Sequence, residues 1–174
     1  MTRTSIEIKI CGLTCPDEAA ACVEAGADAI GVIFYPPSPR YVLPTEASEI
    51  AKRVEPAGAA MVGVFVDESL ESICRIADAA NLSAVQLHGA ESPEMVAALI
   101  DSGLHVVKVL KTTGDALVAE AGRYPGAGIL VECGKGVLPG GNGATWDFAG
   151  AAVLSGVRPF GIAGGIDLST LDQA

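Results

Sequence analysis

A chain of 174 residues, half of them hydrophobic and 18% charged, has the size and composition of one globular domain and not of a disordered segment. Eleven basic residues against 21 acidic ones leave a net charge of −10, which disfavours nucleic acid as a partner but leaves room for a small anion held by local charges and helix N-termini. No apolar run reaches the roughly 18 residues of a membrane span, and Glu7 and Lys9 interrupt the place of a signal-peptide core, so a cytoplasmic protein with no membrane partner is expected.

The first predicted strand, IEIKI (6–10), alternates apolar and charged residues and runs into Cys11-Gly12. PDEAAACVEAG (16–26) opens with Pro, carries early acids and closes on Gly, the grammar of a helix. DAIGVIF (28–34) is the second strand, followed by the loop PPSPRYV (36–42), and AAMVGVFV (59–66) is the third. Helix-like DESLESICRIADAA (67–80) leads to strand SAVQLH (83–88), and SPEMVAALIDSG (92–103) leads to strand HVVKVL (105–110). GILVE (128–132) and PFGIA (159–163) complete seven strands, and DLSTLDQA (167–174) falls where a seventh helix is expected.

Strand starts recur at roughly the length of one βα unit, and no pair of strands is joined by a two-residue hairpin turn. The sheet should therefore be parallel and covered by helices. A (β/α)8 barrel and an open doubly wound sheet both fit this rhythm, with the barrel ahead. A barrel has eight strands and typically about 250 residues, so the expectation is a single barrel domain over 1–174, truncated after strand 7.

Five cysteines, Cys11, Cys15, Cys22, Cys74 and Cys133, are an odd number without close pairs, which fits neither a disulfide framework nor a metal site. Most of them are expected to be small buried side chains. In either architecture chemistry gathers at the C-terminal ends of the strands. There stand Cys11, the PPSPRYV loop, His88, Glu132 and the Ala163-Gly164-Gly165 turn.

Cys11 is either a packed thiol or a thiolate acting as base or nucleophile. The second role needs nearby positive charge, which Lys9, two residues back on the same strand face, can supply. Glu132 ends an apolar strand and is either a solvated rim carboxylate or, under a closed mouth, a general acid. Arg40, the one positive charge in a proline-stiffened loop, is a surface arginine or a fork for a carboxylate. His88 is a structural histidine or lines the ligand. LPGGNG (138–143), with Gly140, Gly141 and Gly143, and the turn with Gly164 and Gly165 are glycine-rich loops in consecutive units, where bare backbone N–H groups can bind phosphate.

The segments KICGLT, AGADAIGVIFYPPSPRYV, VGVFVDES, VQLHGAESPE and PFGIAGGI, spanning residue 8 to about residue 167, resemble the phosphoribosylanthranilate isomerase family of tryptophan biosynthesis. KICG and QLHG…E, in this order with SPRYV between them, carry the resemblance most specifically. It implies a barrel enzyme that performs an Amadori rearrangement of N-(5-phosphoribosyl)anthranilate without metal or cofactor. The partner is then a small phosphorylated substrate, and the protein acts as a monomer or homodimer. Carried over by position, Cys11 is the general base, Arg40 holds the anthranilate carboxylate, the glycines of 140–143 and 163–165 bind phosphate, and Glu132 takes the place of the acid. That place is usually an aspartate. The extra methylene shifts the proton by about 1 Å, a displacement that can cost on the order of 100-fold in rate. Asn142 likewise replaces a common threonine. The alternative is a truncated, weakly active or non-catalytic member that binds a phosphorylated ligand or a partner protein.

Overall fold

The computed structural model describes residues 7–111, 113–133 and 145–173. The chain packs as two compact units, residues 1–85 and 86–174, and the boundary falls inside one strand.

In the first unit β1 (Lys9–Cys11), β2 (Ala29–Ile33) and β3 (Ala60–Phe65) pair in parallel, with Cys11 opposite Gly31 and Gly31 opposite Val62. β2 and β3 are buried along nearly their whole length, as parallel strands covered on both faces must be. α1 (Pro16–Glu24) starts on a proline at its first position, where the missing N–H costs nothing, with Asp17 and Glu18 in the first turn. α2 (Pro44–Val54) repeats the proline start, and the Glu46 carboxylate accepts the Leu43 N–H at 2.7 Å. Ser69 caps α3 (Leu70–Ala79) by accepting the Ser72 N–H at 3.2 Å. Ile30, Val32, Ile50, Val54, Phe65 and Ile73 make the core, and the rings of Phe34 and Phe65 stack at 5.2 Å between centroids. β4 (Ala84–Leu87) begins in this unit and ends in the next.

In the second unit β5 (His105–Leu110), β6 (Gly128–Glu132) and β7 (Phe160–Ala163) also pair in parallel, Lys108 opposite Ile129 and Glu132 opposite Ala163. α4 (Pro93–Asp101) is capped by Ser92, and α5 (Asp115–Gly122) joins β5 to β6. A 3-10 segment over Phe148–Leu154 precedes β7. Arg158 donates to the carbonyls of Ala121, at 3.0 Å, and Ala127, fastening the end of α5 to the start of β6. Within each unit the strands are neighbours in sequence order, without the reversal a doubly wound sheet has at its switch point.

The seven strands fall where the periodicity put them, within a residue or so except at β1, expected over 6–10, which starts at Lys9 and runs on to Cys11. The predicted seventh helix differs. Over 167–173 the described chain makes one turn, closed by the Leu171 N–H on Asp167 O at 2.9 Å, and a short 3-10 segment, Leu171–Gln173. The expectation of mostly buried thiols also fails. Cys133 alone is buried, Cys15, Cys22 and Cys74 are half-buried, and Cys11 is exposed. Cys22 and Cys74 sit on helices whose innermost positions go to Ala19, Ala20, Ile73, Ile76 and Ala77. No helix among the described residues is long and apolar enough to cross a membrane.

Gly63 tests the packing of the first core. A Cβ there would lie 2.4 Å from Leu82 Cδ1 and 2.9 Å from Phe65 Cε2. Gly63→Ala should lower the unfolding free energy by about 1–3 kcal/mol in urea titrations. Gly122, at the end of α5 with nothing near its missing Cβ, should show the opposite sign, Gly122→Ala raising stability by about 0.5 kcal/mol.

Candidate active site

Lys9 and Cys11 are two apart on β1 and share one face, with Ala29 opposite Lys9 and Gly31 opposite Cys11 on β2. A Cβ on Gly31 would lie 2.7 Å from Cys11 Sγ and 3.0 Å from Lys9 Nζ. The ammonium and the thiol therefore crowd the same empty spot, opposite a residue that can have no side chain. Gly12 follows in the left-handed region at φ +84, and Arg40 lies across it, its guanidinium carbon 2.9 Å from where a Cβ would be. Arg40 Nη1 donates to Cys11 O at 3.3 Å, so the proline-flanked loop lays its guanidinium directly over the end of β1. Cys11, Lys9 and Arg40 thus form one cluster, with the thiol exposed and the two cations half-buried.

The second unit contains every buried polar residue among those described: Gln86, His88, Glu91, Lys108 and Glu132. His88 Nε2 is bonded to Glu132 Oε2, joining the ends of β4 and β6. Glu132 Cγ rests against Gly164, where a Cβ would come within 3.1 Å of it. The added methylene of glutamate is accommodated over a glycine. Gly164 and Gly165 both take positive φ, +85 and +70. The turn behind them is held by Asp167, whose carboxylate accepts the Ser169 hydroxyl and amide and the Thr170 amide, while Thr170 Oγ1 donates to Gly165 O at 2.8 Å. Those bonds, the Ser169 hydroxyl foremost, hold the Asp167 carboxyl below its ordinary range. Trp146 Nε1 donates to Ala163 O at 2.9 Å beside the same turn. The other glycine-loop residues, Gly140, Gly141 and Gly143, lie outside the described residues.

Lys108 stands on the sheet face opposite Glu132, because its register partner is Ile129 and side chains alternate along β6. Its ammonium donates to Glu91 Oε2 at 2.8 Å, to Gly89 O at 2.7 Å and to Leu87 O at 3.4 Å. The two carbonyls flank His88. Glu91 in turn accepts the Gly89 N–H at 3.0 and 3.1 Å. An ion pair with side chains 3% and 1% exposed thus clamps the backbone on one face while His88 reaches Glu132 on the other. Tyr124 donates to Glu91 O, and burial first, with the Glu120 carboxylate second, pushes its phenol up, so that it stays a donor well into the alkaline range.

Of the residues singled out from sequence, Lys9, Cys11 and Arg40 come together, as do His88, Glu132 and Gly164. Lys108 is not singled out because it sits in the apolar run HVVKVL, which reads as plain strand, while Gln86 and Glu91 fall in the VQLHGAESPE segment that carries the resemblance, where neither is given a role.

A family model described as N-(5'phosphoribosyl)anthranilate (PRA) isomerase matches residues 8–174. The N-(5'-phosphoribosyl)anthranilate isomerase of Desulfatibacillum aliphaticivorans is 41% identical over 170 residues, covering 98% of this chain and 78% of that protein. The crystal structure of phosphoribosyl anthranilate isomerase from Thermotoga maritima superposes with a TM-score of 0.85 at 32% identity, over 97% of this chain and 83% of that one. A phosphoribosyl anthranilate isomerase in complex with reduced 1-(o-carboxyphenylamino)-1-deoxyribulose 5-phosphate gives a TM-score of 0.80 at 30% identity, over 97% of this chain and 80% of that one. The (β/α)8-barrel class expected from the sequence is the fold of these structures.

Removing one member of the buried pair leaves the other charge stranded. Lys108→Met should lower the unfolding free energy by about 3–5 kcal/mol in urea titrations, and adding Glu91→Gln should recover part of that loss. Equal stability of the single variant and the parent would mean that the pair is solvated.

Proposed function

The chain belongs to the N-(5'-phosphoribosyl)anthranilate isomerase family, and we propose that it rearranges N-(5'-phosphoribosyl)anthranilate to 1-(o-carboxyphenylamino)-1-deoxyribulose 5-phosphate in tryptophan biosynthesis, with Glu132 as general acid and Cys11 as general base. The observation that carries the assignment of the acid is the buried Glu132 carboxyl at the end of β6, bonded to His88 and backed by Gly164.

Glu132 gives its proton to the ribose ring oxygen as the bond from that oxygen to C1 breaks. The anilino nitrogen supplies the electron pair for the C=N bond of the open-chain Schiff base. The Cys11 thiolate then takes the proton from C2, the pair of that C–H bond forms C1=C2, and the enolamine tautomerises to the ketone. Acid and base act in separate steps, so neither side chain must carry both roles. Lys9, crowded against the same glycine as the thiol, stands beside the base and lies against the substrate. Arg40 has guanidinium donors beyond the one given to Cys11 O, and a planar fork suits the anthranilate carboxylate. The amides of Gly164 and Gly165, in consecutive left-handed conformations, take the phosphate together with Gly140, Gly141 and Gly143. Such local positive charge and bare amides suffice for an anionic substrate despite a net charge of −10. The protein works as a monomer or homodimer.

Loss of anthranilate-type fluorescence on adding freshly generated phosphoribosylanthranilate measures turnover. Cys11→Ser and Glu132→Gln should each fold and lose about 100-fold or more in kcat. Glu132→Asp should lose about 10- to 100-fold, because the shorter side chain withdraws from His88 by about 1 Å. Arg40→Ala should raise KM for substrate while leaving binding of inorganic phosphate unchanged. A Cys11→Ser variant with near-full rate would remove Cys11 from the mechanism, and a folded parent with no turnover would sink the isomerase reading.

A further inference from the structure

Trp146 is the one tryptophan of the chain, and its ring N–H donates to Ala163 O at 2.9 Å. Buried Phe148 meets the half-buried indole edge to face at 5.2 Å between centroids and holds it at the turn. Thr170 Oγ1 donates to Gly165 O at 2.8 Å. The carbonyls before and after that of Gly164 are thus each taken by a side-chain donor. No acceptor among the described residues meets the N–H of Gly164 or of Gly165.

A trans peptide is planar, and its C=O and N–H point in opposite directions. The Ala163 carbonyl and the Gly164 N–H belong to one such plane, so a donor that takes the carbonyl turns the N–H the other way. The backbone alone does not secure that orientation. A half-turn of the plane about the line joining its two Cα atoms carries Gly164 from φ +85 to negative φ, and glycine occupies both about equally well. It carries Ala163 from the extended to the helical region, which is also allowed. The flipped plane would offer an anion a carbonyl oxygen in place of a donor.

Trp146 tells the two orientations apart. An indole N–H donates and cannot accept. It bonds the carbonyl of the present plane and would face an N–H, donor against donor, in the flipped one. The hydroxyl of Thr170 discriminates less, because it also accepts the Asp167 N–H at 2.9 Å.

We infer that Trp146 is a positioning residue that holds the Ala163–Gly164 peptide with its carbonyl toward the indole and its N–H toward the substrate phosphate. The inference rests on the reading of Gly164 and Gly165 as phosphate ligands. A flip leaves both Cα atoms in place, so Glu132, which rests against Gly164, keeps its position. Loss of the indole N–H therefore weakens substrate binding and spares the chemical step.

The test is Trp146→Phe, which keeps an aromatic ring against Phe148 and removes the donor. Isothermal titration calorimetry measures the binding of inorganic phosphate to the full chain, and the fluorescence assay measures turnover. The expected result is an affinity for inorganic phosphate about 10-fold weaker and a KM for phosphoribosylanthranilate about 10-fold higher, with kcat within about twofold of the parent. A ring that only packs would lower the urea midpoint and leave the phosphate affinity of the folded protein unchanged, and that outcome overturns the inference. So does a fall in kcat with KM unchanged. A parent that binds no inorganic phosphate removes the turn as the phosphate seat, and the role of Trp146 with it. A parent that binds phosphate but turns over no substrate refutes the isomerase reading alone, and the two phosphate affinities still decide the role of Trp146. Should Trp146→Phe fail to fold, the emission of the single tryptophan in the parent decides. A saturable change at the calorimetric affinity supports the inference, and unchanged emission at phosphate saturation overturns it.

Discussion

A charge buried in a protein must find its counter-charge and fill its remaining hydrogen bonds, and at Lys108 that requirement organises the second unit. The ammonium, on the opposite face of the sheet from Glu132, can be buried only because Glu91 and the carbonyls of Leu87 and Gly89 all converge on it. Meeting its needs fixes the backbone on both sides of His88. The segment from residue 87 to residue 91 is thus pinned by three kinds of partner, and the imidazole is presented to Glu132 by a scaffold that makes no contact with that carboxyl through Lys108 itself. A pair like this adds little net stability over apolar residues of equal volume. Its effect here is geometric.

Glycine does the complementary work at the strand ends. Gly31 is opposite Cys11, Gly12 lies under Arg40, and Gly164 lies against Glu132. At each place a functional side chain fills the volume where a Cβ would be, within 3.1 Å in every case. Only Gly12 and Gly164 also need their positive φ. Gly31 sits in ordinary extended backbone and is there for space alone. The same accommodation explains how a glutamate fits where the family resemblance implies an aspartate. The additional methylene lies over Gly164, and the carboxyl oxygen still reaches His88.

The cations serve different ends in the two units. Lys9 and Arg40 are half-buried beside an exposed thiol, and neither is tied up by a carboxylate in the described contacts of that cluster. Lys108 is as fully neutralised as a lysine can be. A chain with ten more acids than bases can therefore still present positive charge to an anion at Lys9 and Arg40.

The order of strands and helices was legible from the sequence because each depends on local chemistry. Short β-branched runs bounded by Gly, Pro and polar residues mark β2 to β7, and Pro starts and Ser caps mark α1, α3 and α4. Position at a strand end was enough to single out Cys11, His88 and Glu132, since side chains there leave the apolar layer whatever the rest of the chain does. Tertiary structure alone decided what those residues touch. His88 binds Glu132 across 44 positions of sequence, Lys108 seeks Glu91 and two carbonyls, and Gly31 yields its space to Cys11. It also decided that DLSTLDQA is a turn rather than a helix among its described residues, and that four of the five cysteines are not fully buried. Pairings of this kind depend on strand register and on which face a side chain takes. Both are set by how strands align with one another, and no local pattern encodes that alignment.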